Sequence, residues 1–296
     1  MTVYGLKNNI HEHKTHTMRL QHLILFAMAF LCSRNATGQQ SLELGGFLGI
    51  SNYLGELQQT TFERNENNIA LGIFTRWNLN PNLALKFQFY KGEISGRDAN
   101  YAELQSIRER NLSFRSHLFE LSLISEVSFV AFGESGRVAA PYLFFGVSGF
   151  HFNPQALYEG RWVSLQPLGT EGQTLPGSGK EQYKLFQFAI PLGIGFNIRL
   201  GDNMNIGFEA GLRKTFTDYL DDISSEYPDL NALQAANPMA ATLSFRTPEV
   251  THDDYPNPKG QIRGNPGQKD LYFFGGLTFS GYVLTREKAK RPKRRR

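Results

Sequence analysis

Between Phe186 and Leu200 every even position is apolar: Phe186, Phe188, Ile190, Leu192, Ile194, Phe196, Ile198 and Leu200. The odd positions between them are Gln187, Ala189, Pro191, Gly193, Gly195, Asn197 and Arg199. A period of two held this long marks a strand with unlike faces, because successive strand side chains point to opposite sides. After Gly201-Asp202-Asn203-Met204 the pattern resumes, with Ile206, Phe208, Ala210 and Leu212 on one face and Glu209 and Arg213 on the other. Tyr183–Leu200 and Asn205–Thr217 therefore form a long antiparallel hairpin.

Two kinds of barrel write this pattern. A soluble barrel turns the apolar face inward and exposes a charged wall; a membrane barrel turns it to lipid and keeps small and polar groups inside. Here the second face is rich in Gly, Ala, Asn and Gln and poor in Lys and Glu, which suits a crowded lumen. A membrane strand needs only about 9–11 tilted residues to cross, and both arms reach that length.

Six further stretches complete the pattern. Ser41–Leu57 sets Leu42, Leu44, Leu48 and Ile50 against Glu43; Asn68–Asn78 points Ile69, Leu71, Ile73 and Trp77 outward; after an Asn80-Pro81-Asn82 turn, Leu83, Leu85, Phe87 and Phe89 oppose Lys86, Gln88 and Tyr90. In Leu112–Val130, Phe119, Leu121 and Leu123 oppose Glu120, Ser122 and Glu126; Pro141–Phe152 and Asp270–Leu284 complete an even count of eight strands. Short turns near 80, 134 and 202 alternate with long connections at 58–67, 92–111, 153–182 and 218–269. Helical turns are expected within 102–110 and 230–236. The reading is all-β: a transmembrane eight-stranded antiparallel up-and-down barrel with long extracellular loops, both termini in the periplasm, and Trp77 in an aromatic girdle.

The ends differ from this body. Met18-Arg19-Leu20-Gln21 precedes an apolar run to Cys32, and Ala36-Thr37-Gly38 is a small-x-small cleavage site, so residues 1–38 read as an extension plus a signal peptide with Met18 a candidate start. Leu31 is too bulky for lipidation at Cys32, and cleavage removes that single cysteine. The barrel domain is 39–284. The tail 285–296 carries Arg286, Lys288, Lys290, Arg291, Lys293, Arg294, Arg295 and Arg296 against Glu287, a net +7, and residues 1–40 a net +3. With a whole-chain charge of +4, residues 41–284 are net −6. The basic pI belongs to the ends, so no nucleic-acid partner follows from it.

An eight-stranded barrel is just wide enough for side chains to fill. Glu43, Lys86, Glu120, Glu209 and Arg213 are expected to meet inside as a paired network, giving a plug and no diffusion pore. Pro191 lacks a ladder N–H, so a bulge is expected there, and Gly193 and Gly195 leave lumenal space for larger neighbours. Neither His117, His151 nor His252 has a Ser or Asp partner at catalytic spacing, and they read as girdle or loop histidines. Asp218, Asp221, Asp222 and Glu226 crowd the start of the longest loop. Clustered carboxylates can take a hard cation, but the spacing is not that of a calcium loop, and a hydrogen-bonded strand end that shapes the loop is the favoured reading. No phosphate loop, metal-spaced Cys/His set or nucleophile motif is present, so no catalytic, cofactor or metal residue is assigned.

Four segments, Arg110-Asn111-Leu112-Ser113-Phe114, Phe152-Asn153-Pro154-Gln155-Ala156, Leu165-Gln166-Pro167-Leu168-Gly169-Thr170-Glu171-Gly172-Gln173 and Thr215-Phe216-Thr217-Asp218-Tyr219-Leu220-Asp221-Asp222, resemble in order those of the PorG-like outer-membrane barrel family of Bacteroidota. The resemblance spans roughly residues 41–284 and excludes the tail. It implies a non-enzymatic component of type IX secretion and gliding motility, set in outer-membrane lipid and associated with a periplasmic ring lipoprotein and its partner. The motifs fall at strand ends and in the outer loops, Asp218, Tyr219, Asp221 and Asp222 among them, and so bear on loop folding more than on docking. A free-standing barrel for adhesion or envelope integrity, and a lipid-modifying enzyme, are the competing classes.

Overall fold

The computed structural model describes residues 40–58, 63–101, 104–132, 138–201, 203–252 and 256–285. The signal-peptide reading and the basic tail from Arg286 onward lie outside the described residues. Among the described residues nine strands form: β1 (Ser41–Leu54), β2 (Asn68–Asn80), β3 (Leu83–Arg97), β4 (Ser113–Ser128), β5 (Ala139–Tyr158), β6 (Arg161–Ser164), β7 (Phe186–Leu200), β8 (Met204–Thr215) and β9 (Leu271–Thr285). Eight of them close into a barrel in chain order, with β1 pairing β9 and β4 pairing β5; β6 pairs only with β5, outside the ring. Every pairing is antiparallel.

Register fixes the barrel's dimensions. Stepping across paired residues from Phe196 through Phe208, Leu277, Leu48, Leu71, Lys91, Phe119 and His151 returns to Phe186, ten residues up the same strand. A shear of ten over eight strands, with ~3.3 Å per residue and ~4.8 Å between strands, gives a tilt of about 40°. At that tilt the fifteen residues of β7 rise ~35 Å, more than the ~25 Å apolar band of such barrels.

The faces are inverted relative to a soluble barrel. Ile69, Ile73, Val147 and Phe188 are each more than 60% exposed, whereas Glu43, Lys86, Glu120, Glu209 and Arg213 are 0–4% exposed. The apolar wall faces lipid and the lumen holds the charges. Trp77 is exposed beside the β2–β3 turn, at the girdle position expected of it.

Strand ends depart from the sequence expectation in instructive places. β5 continues six residues beyond Phe152 and turns into β6 through Glu159 (φ +48°) and Gly160 (φ +77°). Two successive left-handed residues make a hairpin turn that matches strand twist, so the expected irregular loop at 153–182 begins as sheet. The bulge expected at Pro191 is absent. The β5–β7 register is the same on both sides, from Ala139↔Ile198 to His151↔Phe186, and the ladder merely skips the positions opposite Pro191 and Ile190. The missing donor is thus absorbed without an inserted residue. Register shifts occur instead at Leu42/Glu43 and Asn78/Asn80, near the turn end of the barrel.

Long connections gather at the other end. They include α1 (Gln105–Arg110), α2 (Leu230–Ala236), α3 (Pro238–Ser244) and α4 (Pro248–Thr251). The Asp229 side chain accepts from the Asn231 and Ala232 N–H groups to start α2. Asn237 ends α2 and caps α3, whose first residue is Pro238; proline suits that position because its missing N–H would have no helical partner. No helix among the described residues is long and apolar enough to cross a membrane. A closed ladder leaves no strand edge for detergent to attack. Unboiled protein is therefore expected to run faster than boiled protein on detergent gels; equal migration would contradict closure.

Candidate functional site

The lumen is built from inward positions of different strands. Near its turn end, the Arg76 guanidinium lies 3.2 Å from Glu43 Oε2, 2.8 Å from Glu126 Oε2 and 3.6 Å from Glu209 Oε1. Lys86 Nζ is 3.0 Å from Glu126 Oε1 and pairs closely with Glu209. Asn78 Nδ2 and Ser280 Oγ each donate to Glu43 at 2.6 Å, and Tyr142 and Tyr90 donate to Glu209 at 2.6 and 3.2 Å. Higher up, Arg213 Nε reaches Glu120 Oε2 at 3.1 Å, and Tyr272, Ser122 and Gln88 donate to the same carboxylate. Buried charges survive when each is paired and hydrogen-bonded, and that condition holds here.

All five residues expected in the lumen are present in these two clusters. Arg76 and Glu126 complete them. Arg76 occupies an inward parity between Phe74 and Asn78, a signal available in the period-two alternation of β2. Glu209 and Arg213 do not meet; each finds its partner across the lumen.

Aromatic rings fill the remaining space. Phe47 stacks on Tyr90 at 4.5 Å, and Tyr272 and Phe274 pack edge-on at 5.8 Å. Glycines make the room: a Cβ on Gly195 would lie 2.2 Å from the Tyr142 ring, and one on Gly193 2.3 Å from Phe144. Among the described residues the lumen is packed with buried ion pairs and stacked rings.

Over the loop end sits a buried polar cap. Glu171 Oε1 accepts from the Ser224 N–H at 2.8 Å and from Arg263 Nη1 at 3.0 Å. Asp222, at φ +70°, accepts from Thr170 and from Tyr183 Oη at 2.6 Å and faces Arg263. The Arg263 guanidinium, with hydrogen bonds from Ser225, holds the Glu171 carboxyl below its ordinary range despite burial, which raises it; burial pushes Asp222 up to about 6. Tyr219 stacks on Tyr183 at 4.6 Å and donates to Glu171 at 3.3 Å. Arg110 forks onto Asp98 at 2.6 and 2.9 Å and reaches the Glu56 carbonyl at 3.1 Å. The sequence motifs around Arg110, Phe152, Glu171 and Asp218–Asp222 thus converge in one cap.

The four carboxylates that crowd one loop in sequence do not assemble. Asp218 accepts from Ser224 Oγ at 2.8 Å, Asp222 turns to Arg263, and Glu226 is held by its backbone, which pairs with Ile262. Asp221 instead joins Glu56, from the connection after β1, and Asp270, at the far end of its own connection, with ligand atoms of the three within 4.8 Å of one another. Such a trio has the chemistry for a hard cation, but its oxygens are engaged: Asp221 Oδ1 accepts from Ile223 N–H, Asp270 Oδ2 from Leu220 N–H, Glu56 Oε1 from Asn265 N–H, and Tyr53 Oη donates at 2.6 Å to Asp221. Burial raises all three carboxyls, Glu56 to about 7, reinforced by repulsion from Asp218 at Glu56, from Glu56 at Asp221, and from Asp221 and Glu56 at Asp270. Of the histidines, His117 faces outward on β4 with Nδ1 3.0 Å from Glu93, and His151 faces outward on β5.

Architecture, inverted faces and turn–loop asymmetry define a transmembrane β-barrel of the outer-membrane type. The chain belongs to the family described as "Domain of unknown function (DUF6089)", whose model matches residues 21–242. No curated protein matches it. Among solved structures it is similar to Neisserial surface protein A (6% identity, TM-score 0.41, covering 83% of this chain and 99% of that one) and to the N-terminal β-barrel domain of Pseudomonas aeruginosa OprF (10%, 0.37, 83% and 99%). Ail, the attachment invasion locus protein of Yersinia pestis, is similar at 9% identity and TM-score 0.36, covering 83% and 97%.

Two outcomes follow from this geometry. Arg213→Ala leaves Glu120 buried without its cation, which costs about 3 kcal/mol; the temperature at which the fast gel band converts to the slow one should fall, and Glu120→Gln in the same chain should restore part of it. An unchanged conversion temperature would exclude the paired lumen. In the cap, Glu56 binds a proton at pH values where the unfolded chain, titrating near 4.5, has released it. Its contribution is therefore fully present below that value and is lost as pH rises to about 7. Hydrogen-exchange protection of residues 218–224 should decline across this window, and Glu56→Gln should flatten the decline.

Proposed function

We propose that the protein is a non-enzymatic outer-membrane component of the type IX protein secretion machinery, docked from its periplasmic side onto a ring of a lipoprotein and its partner. The observation that carries this reading is the filled lumen. A barrel closed by buried ion pairs and stacked rings conducts nothing through its middle, so its work falls to its two ends and its wall. The motifs that resemble the PorG-like family build the cap at the loop end. That leaves the short turns and the basic tail at the opposite end, read as periplasmic, for docking.

The buried hydrogen bonds of the cap's carboxylates support a role in shaping the loops and not in chemistry. His117, paired with Glu93 on the lipid-facing wall, lacks a neighbouring nucleophile among the described residues, which argues against the lipid-modifying class.

The test combines a deletion strain with a chain truncated after Leu284. Complete deletion should retain secreted cargo inside the cell, and the intact protein should co-purify with ring components from detergent-solubilised membranes. Truncation that abolishes co-purification while the barrel still assembles assigns docking to the tail; truncation without effect assigns it to the turns near Asn80 and Gly201. Intact secretion after complete deletion would overturn the proposal in favour of a free-standing barrel.

A further inference from the structure

On the wall formed by β3, β4 and β5 the apolar band ends short of the strand tops. Phe87 and Phe89 on β3 give way to Lys91, Leu123, Leu121 and Phe119 on β4 to His117 and Arg115, and Val147 on β5 to His151. These positions are lateral neighbours: Lys91 pairs with Phe119 and Phe119 with His151, while His117 pairs with Glu93 and Asn153. Lys91 Nζ lies 5.7 Å from the Phe119 ring centre, and the Arg115 guanidinium lies 3.8 Å over Trp162 of β6. Against two bases, Lys91 and Arg115, and two histidines, these outward positions set one carboxylate, Glu93, already 3.0 Å from His117.

The rest of the circumference is different. The highest outward positions on β7 and just beyond β8 are Phe186 and Phe216, each 57% exposed, and on β2 the topmost is Ile69. Lys214, between Leu212 and Phe216, and Lys184, two residues beyond Phe186, stand singly there. The outward cations are therefore denser on the β3–β5 sector than elsewhere, unlike a uniform headgroup girdle.

The geometry points to a binding site for a phosphorylated glycolipid on the β3–β5 wall, its acyl chains along Phe87, Phe89, Leu121 and Leu123 and its phosphates on Lys91, Arg115 and His151. An apolar strip running directly into a cationic rim matches an amphiphile with an anionic head better than it matches a soluble polyanion, which would have no use for the strip. Guanidinium and ammonium groups held on aromatic rings are partly desolvated, which strengthens their contact with phosphate oxygens. Lys91 starts at the level of the band and reaches up by its aliphatic stem. This inference rests on the outer-membrane reading, which sets the loop end against the outer leaflet.

The test uses the full chain in phosphatidylcholine nanodiscs doped with bisphosphorylated lipid A or with its dephosphorylated form, with bound lipid counted by native mass spectrometry. The intact protein should retain the bisphosphorylated form at least fivefold better. In Lys91→Gln/Arg115→Gln/His151→Gln retention should fall by roughly fivefold for each basic group removed, whereas Lys214→Gln should retain it in full. Equal retention of the two lipids by the intact protein overturns the site, as does unchanged retention by the triple variant with an intact fast gel band. If the triple variant loses its fast band, the two-lipid comparison decides alone. Fractionation of the intact protein with inner membranes would overturn the outer-membrane reading itself, a result separate from any of these.

Discussion

In hydrocarbon every backbone N–H and C=O must find its partner within the protein, because no water is there to take it. The closed ladder from β1 round to β9 meets that demand, and the rest of the molecule follows from it. Closing eight strands with a shear of ten fixes the radius, and the radius fixes how much side chain the lumen must hold. The apolar wall is then free to face lipid, and the alternation along β7 is its direct imprint.

The lumen solves the reverse problem. Charges buried in a narrow tube are stable only when matched at short range, so Arg76, Lys86 and Arg213 are placed where carboxylates arrive from strands far away in sequence. Where rings must also fit, the facing strand gives up its side chain, as Gly193 and Gly195 do for Phe144 and Tyr142. Glycine here serves volume and not backbone freedom.

The cap extends the same logic into the loops. Arg110, Glu171, Asp222 and Arg263 come from three connections and make one buried network, so the long loops fold as a unit on the barrel mouth. With the loops folded over the mouth and the lumen packed, the secretion proposal turns on the short-turn end and the lipid proposal on the lipid-facing wall.

The alternation of one residue with the next determined the strand set, their number, which face meets lipid, and the turn–loop asymmetry, because each is a local property that a period of two records. It located Glu43, Lys86, Glu120, Glu209 and Arg213 on the lumenal face for the same reason. It did not determine who pairs with whom. Partners across the lumen depend on the shear, a sum of registers around the whole ring, and no local window contains that sum; hence Arg76 was missed although it touches three carboxylates. Pro191 misled because its cost was judged on one strand, while the ladder absorbs it across two. The carboxylate-rich loop is the hydrogen-bonded strand end its sequence suggests, but neighbours in sequence point to different partners, and Asp221 meets Glu56 and Asp270 only because β1, β8 and β9 end side by side at the mouth of a closed barrel.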